Sequence, residues 1–134
     1  MAPEQTVIEV NELSLAKAFL SVQAAANKKA DTIKILDLKA LSSFTDYFVI
    51  CSGSSDRQVQ AIADSIAIEL KEDGYAPISV EGYREGRWVI VDFGDIVVHV
   101  FLDALREYYD IEHLWFEAKK VPIPQELYIT SSQH

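Results

Sequence analysis

Apolar positions along this chain repeat at two spacings, and the changes of spacing divide it into elements. Leu15, Phe19, Val22 and Ala26 recur at i, i+4, i+7 and i+11, a single stripe of helical period. Asn11 or Ser14 can cap that helix. Residues 32–38 alternate and predict a strand. Residues 46–52 are almost continuously apolar, which predicts a strand buried on both faces. Gly53-Ser54-Ser55 breaks the run, and Ser55 with Gln58 has capping-box spacing, so a helix starts there. Val59, Ile62, Ala63, Ile66 and Leu70 form its buried stripe, and Gly74 is its stop. Residues 78–82 read as a short strand. Two more strands follow within 87–101, and Asp103 caps a short helix ending near Tyr109. Leu114 and Trp115 pack the end. The order predicts an α/β fold, a mixed β-sheet of about five strands with helices packed on it. Residues 1–11 read as a flexible N-terminal arm and 12–115 as the folded domain. Residues 116–134 read as a C-terminal tail without a core of its own, because Lys119-Lys120, Pro122, Pro124 and Ser131-Ser132 leave little to bury.

The segment 87–101 is the most explicit. Gly94-Asp95 lies between two β-rich runs, and glycine first suits a two-residue II′ turn. That turn fixes the pairing: Phe93 faces Ile96, Asp92 faces Val97, Val91 faces Val98, Ile90 faces His99, Val89 faces Val100 and Trp88 faces Phe101. Strand alternation then sorts the side chains. Val89, Val91, Phe93, Ile96, Val98 and Val100 make a wholly apolar face, which is the core face. Trp88, Ile90, Asp92, Val97, His99 and Phe101 make a mixed face. Either a helix covers it, with Asp92 and His99 hydrogen-bonded at the margin, or its Trp88–Asp92 part stays open for a partner. Alternation does not decide between the two.

Composition narrows the function. The chain has 134 residues, enough for one core, and a net charge of −9. Its twelve Lys and Arg are scattered, whereas phosphate-backbone binding needs them clustered. Nucleic acid is therefore not expected as the main ligand, and a basic protein is the better electrostatic match. No apolar run reaches membrane-spanning length. The N-terminus lacks a basic start and carries Glu4 and Glu9, unlike a secretory or transit signal, so a cytoplasmic location is expected. The single Cys51 lies in an apolar run and reads as a small buried hydrophobe.

Catalytic patterns are sparse. Gly53-Ser54-Ser55 resembles the phosphate-facing turn of nucleotidyltransferases, which works with a pair of metal-holding carboxylates on a neighbouring strand. No Asp-x-Asp or Asp-x-Glu pair lies on a strand here. Asp92 and Asp95 flank a turn and should not converge. A helix cap is the favoured reading of the serines, and a metal-dependent nucleotidyltransferase stands as the alternative. His99, His113 and His134 have no ligand spacing, so no metal or cofactor is expected. No G-x-S-x-G elbow supports a hydrolase.

Three segments together are similar to the ribosomal silencing factor family, also called Iojap. The first runs Thr45-Asp46-Tyr47-Phe48-Val49-Ile50-Cys51-Ser52-Gly53-Ser54-Ser55, then Arg57-Gln58-Val59 and Ala61-Ile62-Ala63-Asp64. The second is Glu81-Gly82 with the run from Trp88 through Asp92-Phe93-Gly94-Asp95 to His99-Val100-Phe101. The third is Arg106, Tyr109, Ile111-Glu112 and Leu114-Trp115. Ile111 stands where the family usually has Leu, and the tail after Phe116 lies outside the pattern. The resemblance implies a nucleotidyltransferase-like fold without the catalytic carboxylates, and no cofactor. It implies binding to the large ribosomal subunit through ribosomal protein fourteen of that subunit. The bound factor would block joining of the small subunit and repress translation when nutrients are short. The docking surface carries over to Trp88, Asp92, Gly94, Asp95, Val97 and His99. Arg106 and Tyr109 carry over too, although a helix–sheet anchor explains them equally well. Trp88 is expected to supply aromatic area, and Asp92 and Asp95 to pair with basic groups. A homodimeric scaffold using the same mixed face is a further possibility.

Overall fold

The computed structural model describes residues 2–127, with side chains described from residue 13 onward. The elements are α1 (Ala2–Asn27), β1 (Asp31–Asp37), β2 (Tyr47–Gly53), α2 (Asp56–Glu72), β3 (Ser79–Glu81), β4 (Trp88–Asp92), β5 (Ile96–Leu102), α3 (Asp103–Tyr109), α4 (Ile111–Leu114) and β6 (Lys119–Lys120). The strands form one mixed sheet in the order β3-β4-β5-β2-β1-β6. Its central pair, β2 and β5, is parallel, and the other pairs are antiparallel.

Alternation gives the sheet two apolar faces. Ile33 and Ile35 of β1, Val49 and Cys51 of β2, and Val89, Val91, Ile96, Val98 and Val100 of the hairpin point to one side and pack against α1 and α2. Helix α2 contributes the stripe the spacing predicts, Val59, Ile62, Ala63, Ile66 and Leu70. On α1 the buried residues with described side chains are mostly small, namely Ser14, Ala18, Ser21, Ala24, Ala25 and Ala26 with Val22. Small residues let the two helices approach closely, and the Ser65 hydroxyl donates across to the Ala24 carbonyl at 3.0 Å. Leu36, Leu38, Ile50, Phe101 and Ile111 form a second, smaller cluster on the other face, beneath α3 and α4.

Turn chemistry holds the elements in place. Ser55 caps α2 by accepting from the Gln58 N–H. Gln58 does not reach back to the cap residue as a capping box would. Its Oε1 accepts from the Ser54 N–H at 2.7 Å, and its Nε2 donates to the Lys28 and Lys29 carbonyls, tying the start of α2 to the end of α1. Gly74, at φ 94°, ends α2, with the Tyr75 N–H returning to the Leu70 carbonyl.

The structure differs from the expected layout in four places. The arm expected over 1–11 is helical from Ala2, so Asn11 and Ser14 lie inside α1 and not at its cap, and Pro3 falls in the first turn, where its missing N–H has no partner to lose. The tail expected from 116 contains β6, which pairs Lys120 with Leu36 and Lys119 with Asp37 and makes the sheet six-stranded. Val121, Ile123 and Leu127 then pack on the main core, so residue 115 lies within the fold. Asp103 does not cap α3. It is the first helical residue, and Leu102 holds the cap position without a side-chain bond. Leu114 is exposed, and Ile111 fills the buried position instead.

Candidate functional site

The hairpin pairs as the turn predicts: Trp88 with Phe101, Val89 with Val100, Ile90 with His99, Val91 with Val98 and Asp92 with Val97. Gly94 has φ 91°, Asp95 is not among the positive-φ residues, and the Phe93 N–H donates to the Ile96 carbonyl at 3.0 Å. Positive φ at the first central position alone is the II′ pattern. The six residues expected on the core face are all buried.

The mixed face is covered at one end and open at the other. At the covered end Phe101 is fully buried. The Trp88 ring stacks on it at 4.9 Å, and Tyr109 from α3 lies against Trp88 at 4.8 Å. The Trp88 indole N–H donates to His99 Nδ1 at 3.1 Å. Phe48, from β2, meets the His99 ring edge-on at 4.5 Å and Trp115 at 5.7 Å. Burial lowers the His99 pKa to about 4, so the ring is neutral at pH 7.

At the open end a groove of about 570 Å³ runs over the sheet. Its walls are Ser42, Phe44 and Thr45 from the loop before β2, Phe48, Val97 and Trp115, with Asp92, Gly94, Ile78 and His99 completing it. Phe44 is 91% exposed and Ile78 71%. Asp92 Oδ1 accepts from the Gly94 N–H at 2.8 Å, which stiffens the turn. Two buried polar atoms belong to this lining and have no partner among the described residues, Thr45 Oγ1 and His99 Nε2. The other such atom is Arg106 Nη2.

The eight residues expected at the docking surface therefore separate. Asp92, Gly94, Val97 and His99 come together in the groove. Trp88 and Tyr109 lie beside it in the covered stack. Asp95 faces the opposite layer: Lys17 of α1 contacts both of its oxygens at 3.1 Å, and Ser14 bridges Asp95 and Asp46. Arg106 is an internal tie. It donates to the Thr32 carbonyl, to Ser52 Oγ at 2.9 Å and to Glu112 at 2.9 Å. Thr32 has φ 46°, a left-handed conformation unfavourable for a β-branched residue, beside an irregularity in the β1–β2 register. Burial raises the Glu112 pKa, but bonds from Arg106 and Lys34 outweigh it and the net shift is downward. The sequence reading missed Phe44, Phe48, Ile78, Thr45 and Trp115 as lining. An exposed aromatic within the polar stretch Ser42-Ser43-Phe44-Thr45 was the available signal.

In the Gly53-Ser54-Ser55 turn the Ser54 N–H and hydroxyl both donate to Gln58 Oε1, and the Ser55 hydroxyl accepts from the Gln58 N–H. Asp92 and Asp95 point to different layers and share no site. Among the described residues no group of three or more His, Cys, Asp or Glu could hold a metal. Cys51 is fully buried, and burial raises its pKa to about 12, which makes it an unreactive core residue.

A family model described as "Ribosomal silencing factor during starvation" matches residues 11–134. This chain belongs to the ribosomal silencing factor family. The three matching segments therefore identified the family correctly, and the match extends through the tail that had been set outside the pattern. The ribosomal silencing factor of Bacillus subtilis is 48% identical over 104 residues, covering 76% of this chain and 88% of that protein. A crystal structure of a protein from Chromobacterium violaceum superposes with a TM-score of 0.75 at 40% identity, covering 81% of this chain and 90% of that one. A more distant relative is the mouse "Mitochondrial assembly of ribosomal large subunit protein 1", 32% identical over 99 residues, 70% of this chain and 42% of that protein. The role named for the family is regulatory.

Proposed function

We propose that this ribosomal silencing factor binds the large ribosomal subunit through ribosomal protein fourteen and blocks small-subunit joining by its bulk, repressing translation when nutrients are short. The reading places it in the cytoplasm and requires no catalysis. The observation that carries it is the groove at the open end of the mixed face. A rim of exposed aromatic and aliphatic side chains beside one carboxylate is the composition of a protein–protein anchor site. Family membership and the mouse relative's name support a ribosomal partner on the large subunit. An acidic protein meeting a basic ribosomal protein gains in encounter rate and specificity.

The docking surface in this proposal is Asp92, Gly94, Val97 and His99, extended by Phe44, Phe48 and Ile78, with Trp88 and Tyr109 supporting it. Asp92 pairs with a basic side chain of the partner. We assign Asp95 and Arg106 to holding the fold, because their charges are already paired inside it. Co-sedimentation with purified large subunits is the test. Asp92→Ala with Phe44→Ala should weaken binding by roughly 30-fold, the equivalent of about 2 kcal/mol for central anchors. A folded double variant that binds like the parent would remove the site. Binding heat from a titration with magnesium and ATP would instead favour the nucleotidyltransferase reading.

One observation favours a second reading, self-association. Edge strand β3 carries Val80 exposed, with Ile78 just before it, and an uncovered apolar edge can pair with a second copy. Light scattering at low concentration separates the two: a monomer removes this reading.

A further inference from the structure

The groove contains two polar groups that the fold itself leaves unanswered. His99 is 6% exposed and Thr45 7%, and both line the groove. The hydrogen-bonding chemistry of His99 is fixed by its neighbour. An indole N–H can only donate, so His99 Nδ1, at 3.1 Å from it, accepts. A neutral imidazole then carries its proton on Nε2. That N–H is a donor with no acceptor among the described residues. Phe48 against the ring edge and Trp88 on Nδ1 hold the imidazole in place. Thr45 Oγ1, likewise without a partner, can donate or accept. A buried donor left unmatched is costly, so a complementary group from outside is favoured there.

We infer that His99 Nε2–H and the Thr45 hydroxyl form a two-point hydrogen-bonding floor for the backbone C=O and N–H of one extended residue of the docked ribosomal protein, the pair that points to the same side of a strand. The inference rests on the docking reading above and specifies what that site receives. The occupant is an uncharged stretch of chain whose carbonyl accepts from His99 and whose N–H donates to Thr45. The apolar walls, Phe44, Phe48, Val97 and Trp115, disfavour a charged side chain in the groove itself. Asp92, the only charged lining residue among the described residues, takes a basic side chain next to that stretch. Trp88 is then a positioning residue: it acts through His99 by fixing which nitrogen holds the proton.

The test uses the full chain and purified large ribosomal subunits. His99→Phe keeps a ring and removes the donor, and Thr45→Val keeps the shape and removes the hydroxyl. Thr45→Val should melt no lower than the parent near neutral pH, whereas His99→Phe also takes the acceptor from the Trp88 N–H and should melt somewhat lower while remaining folded; each should bind subunits about tenfold more weakly. Nitrogen-15 spectra of the free protein's imidazole should place the His99 proton on Nε2. Trp88→Phe, which keeps a ring against Phe101 and Tyr109, should let the proton populate Nδ1 as well. Folded variants that bind like the parent overturn the inference, as does a parental proton on Nδ1. Should His99→Phe fail to fold, Thr45→Val and the imidazole spectrum decide. If the parent does not bind subunits at all, the docking reading itself fails. Parental binding with unaffected variants removes only this inference.

Discussion

The two ends of the mixed face are made from the same two strands, yet one is part of the core and the other is a groove. At the Trp88–Phe101 end, α3 lays Tyr109 over the indole and every ring has a neighbour. At the Asp92–Val97 end no helix crosses among the described residues, and the loop before β2 raises Phe44 into solvent instead. The difference shows that the identity of the exposed-looking residue is a poor guide to its role. Trp88, the obvious aromatic anchor in the sequence, is half covered and hydrogen-bonded inward. Phe44, in a polar loop, is the exposed aromatic on the wall of the groove.

Substitutions that affect the two ends differently would sharpen this contrast. The largest effect is expected at the covered end. Phe101→Ala removes a fully buried ring and should cost about 4 kcal/mol in urea unfolding; a loss under about 1 kcal/mol would mean the end is not packed as described. Next is pH. The His99 pKa is about 6.5 unfolded and about 4 folded, so the unfolded chain binds the extra proton first. Stability from this group is complete above pH 6.5 and is lost as pH falls toward 4, by about 3 kcal/mol in all. His99→Phe should flatten that part of the pH profile, and an unchanged profile would contradict the burial. Arg106→Ala should destabilise by about 2 kcal/mol, because it leaves the Thr32 carbonyl and Ser52 without their donor. The residual folded protein should still bind subunits, since Arg106 lies outside the groove. The smallest stability change belongs to the open end. Phe44→Ala should shift unfolding by less than about 0.5 kcal/mol, and its effect should appear in binding instead. A large loss of stability there would show that Phe44 supports the fold.

Much of this was legible in the sequence because it depends on local chemistry. Gly94-Asp95 sets the hairpin register, and once the register is set, alternation sorts every side chain by face. The α2 stripe and its Gly74 stop follow from helical spacing in the same way. What was not legible depends on which elements cross over a face. Whether Asp92 is covered is decided by where α3, α4 and the 38–46 loop lie, and no periodicity encodes that. β6 is two residues long, too short to have a period, and it exists only because β1 offers it an edge. The apolar stripe of α1 becomes regular only from Leu15, so the helical turns before it, from Ala2, carry no comparable signal. Asp95 was expected, from the family resemblance, to pair with a basic group of the docking partner; its partner within the fold, Lys17, is 78 residues away.

The aromatic arrangement has a practical consequence. The chain contains two tryptophans, and both lie on this face: Trp88 bonded to His99, and Trp115 in the wall of the groove. Intrinsic emission from the unlabelled protein is thus reported almost entirely from the region of interest. A molecule settling between Phe44 and Trp115 should change the environment of one indole, while protonation of the imidazole should quench the other. Replacing each tryptophan by phenylalanine in turn would give two separate optical channels, one for occupancy of the groove and one for the state of its floor.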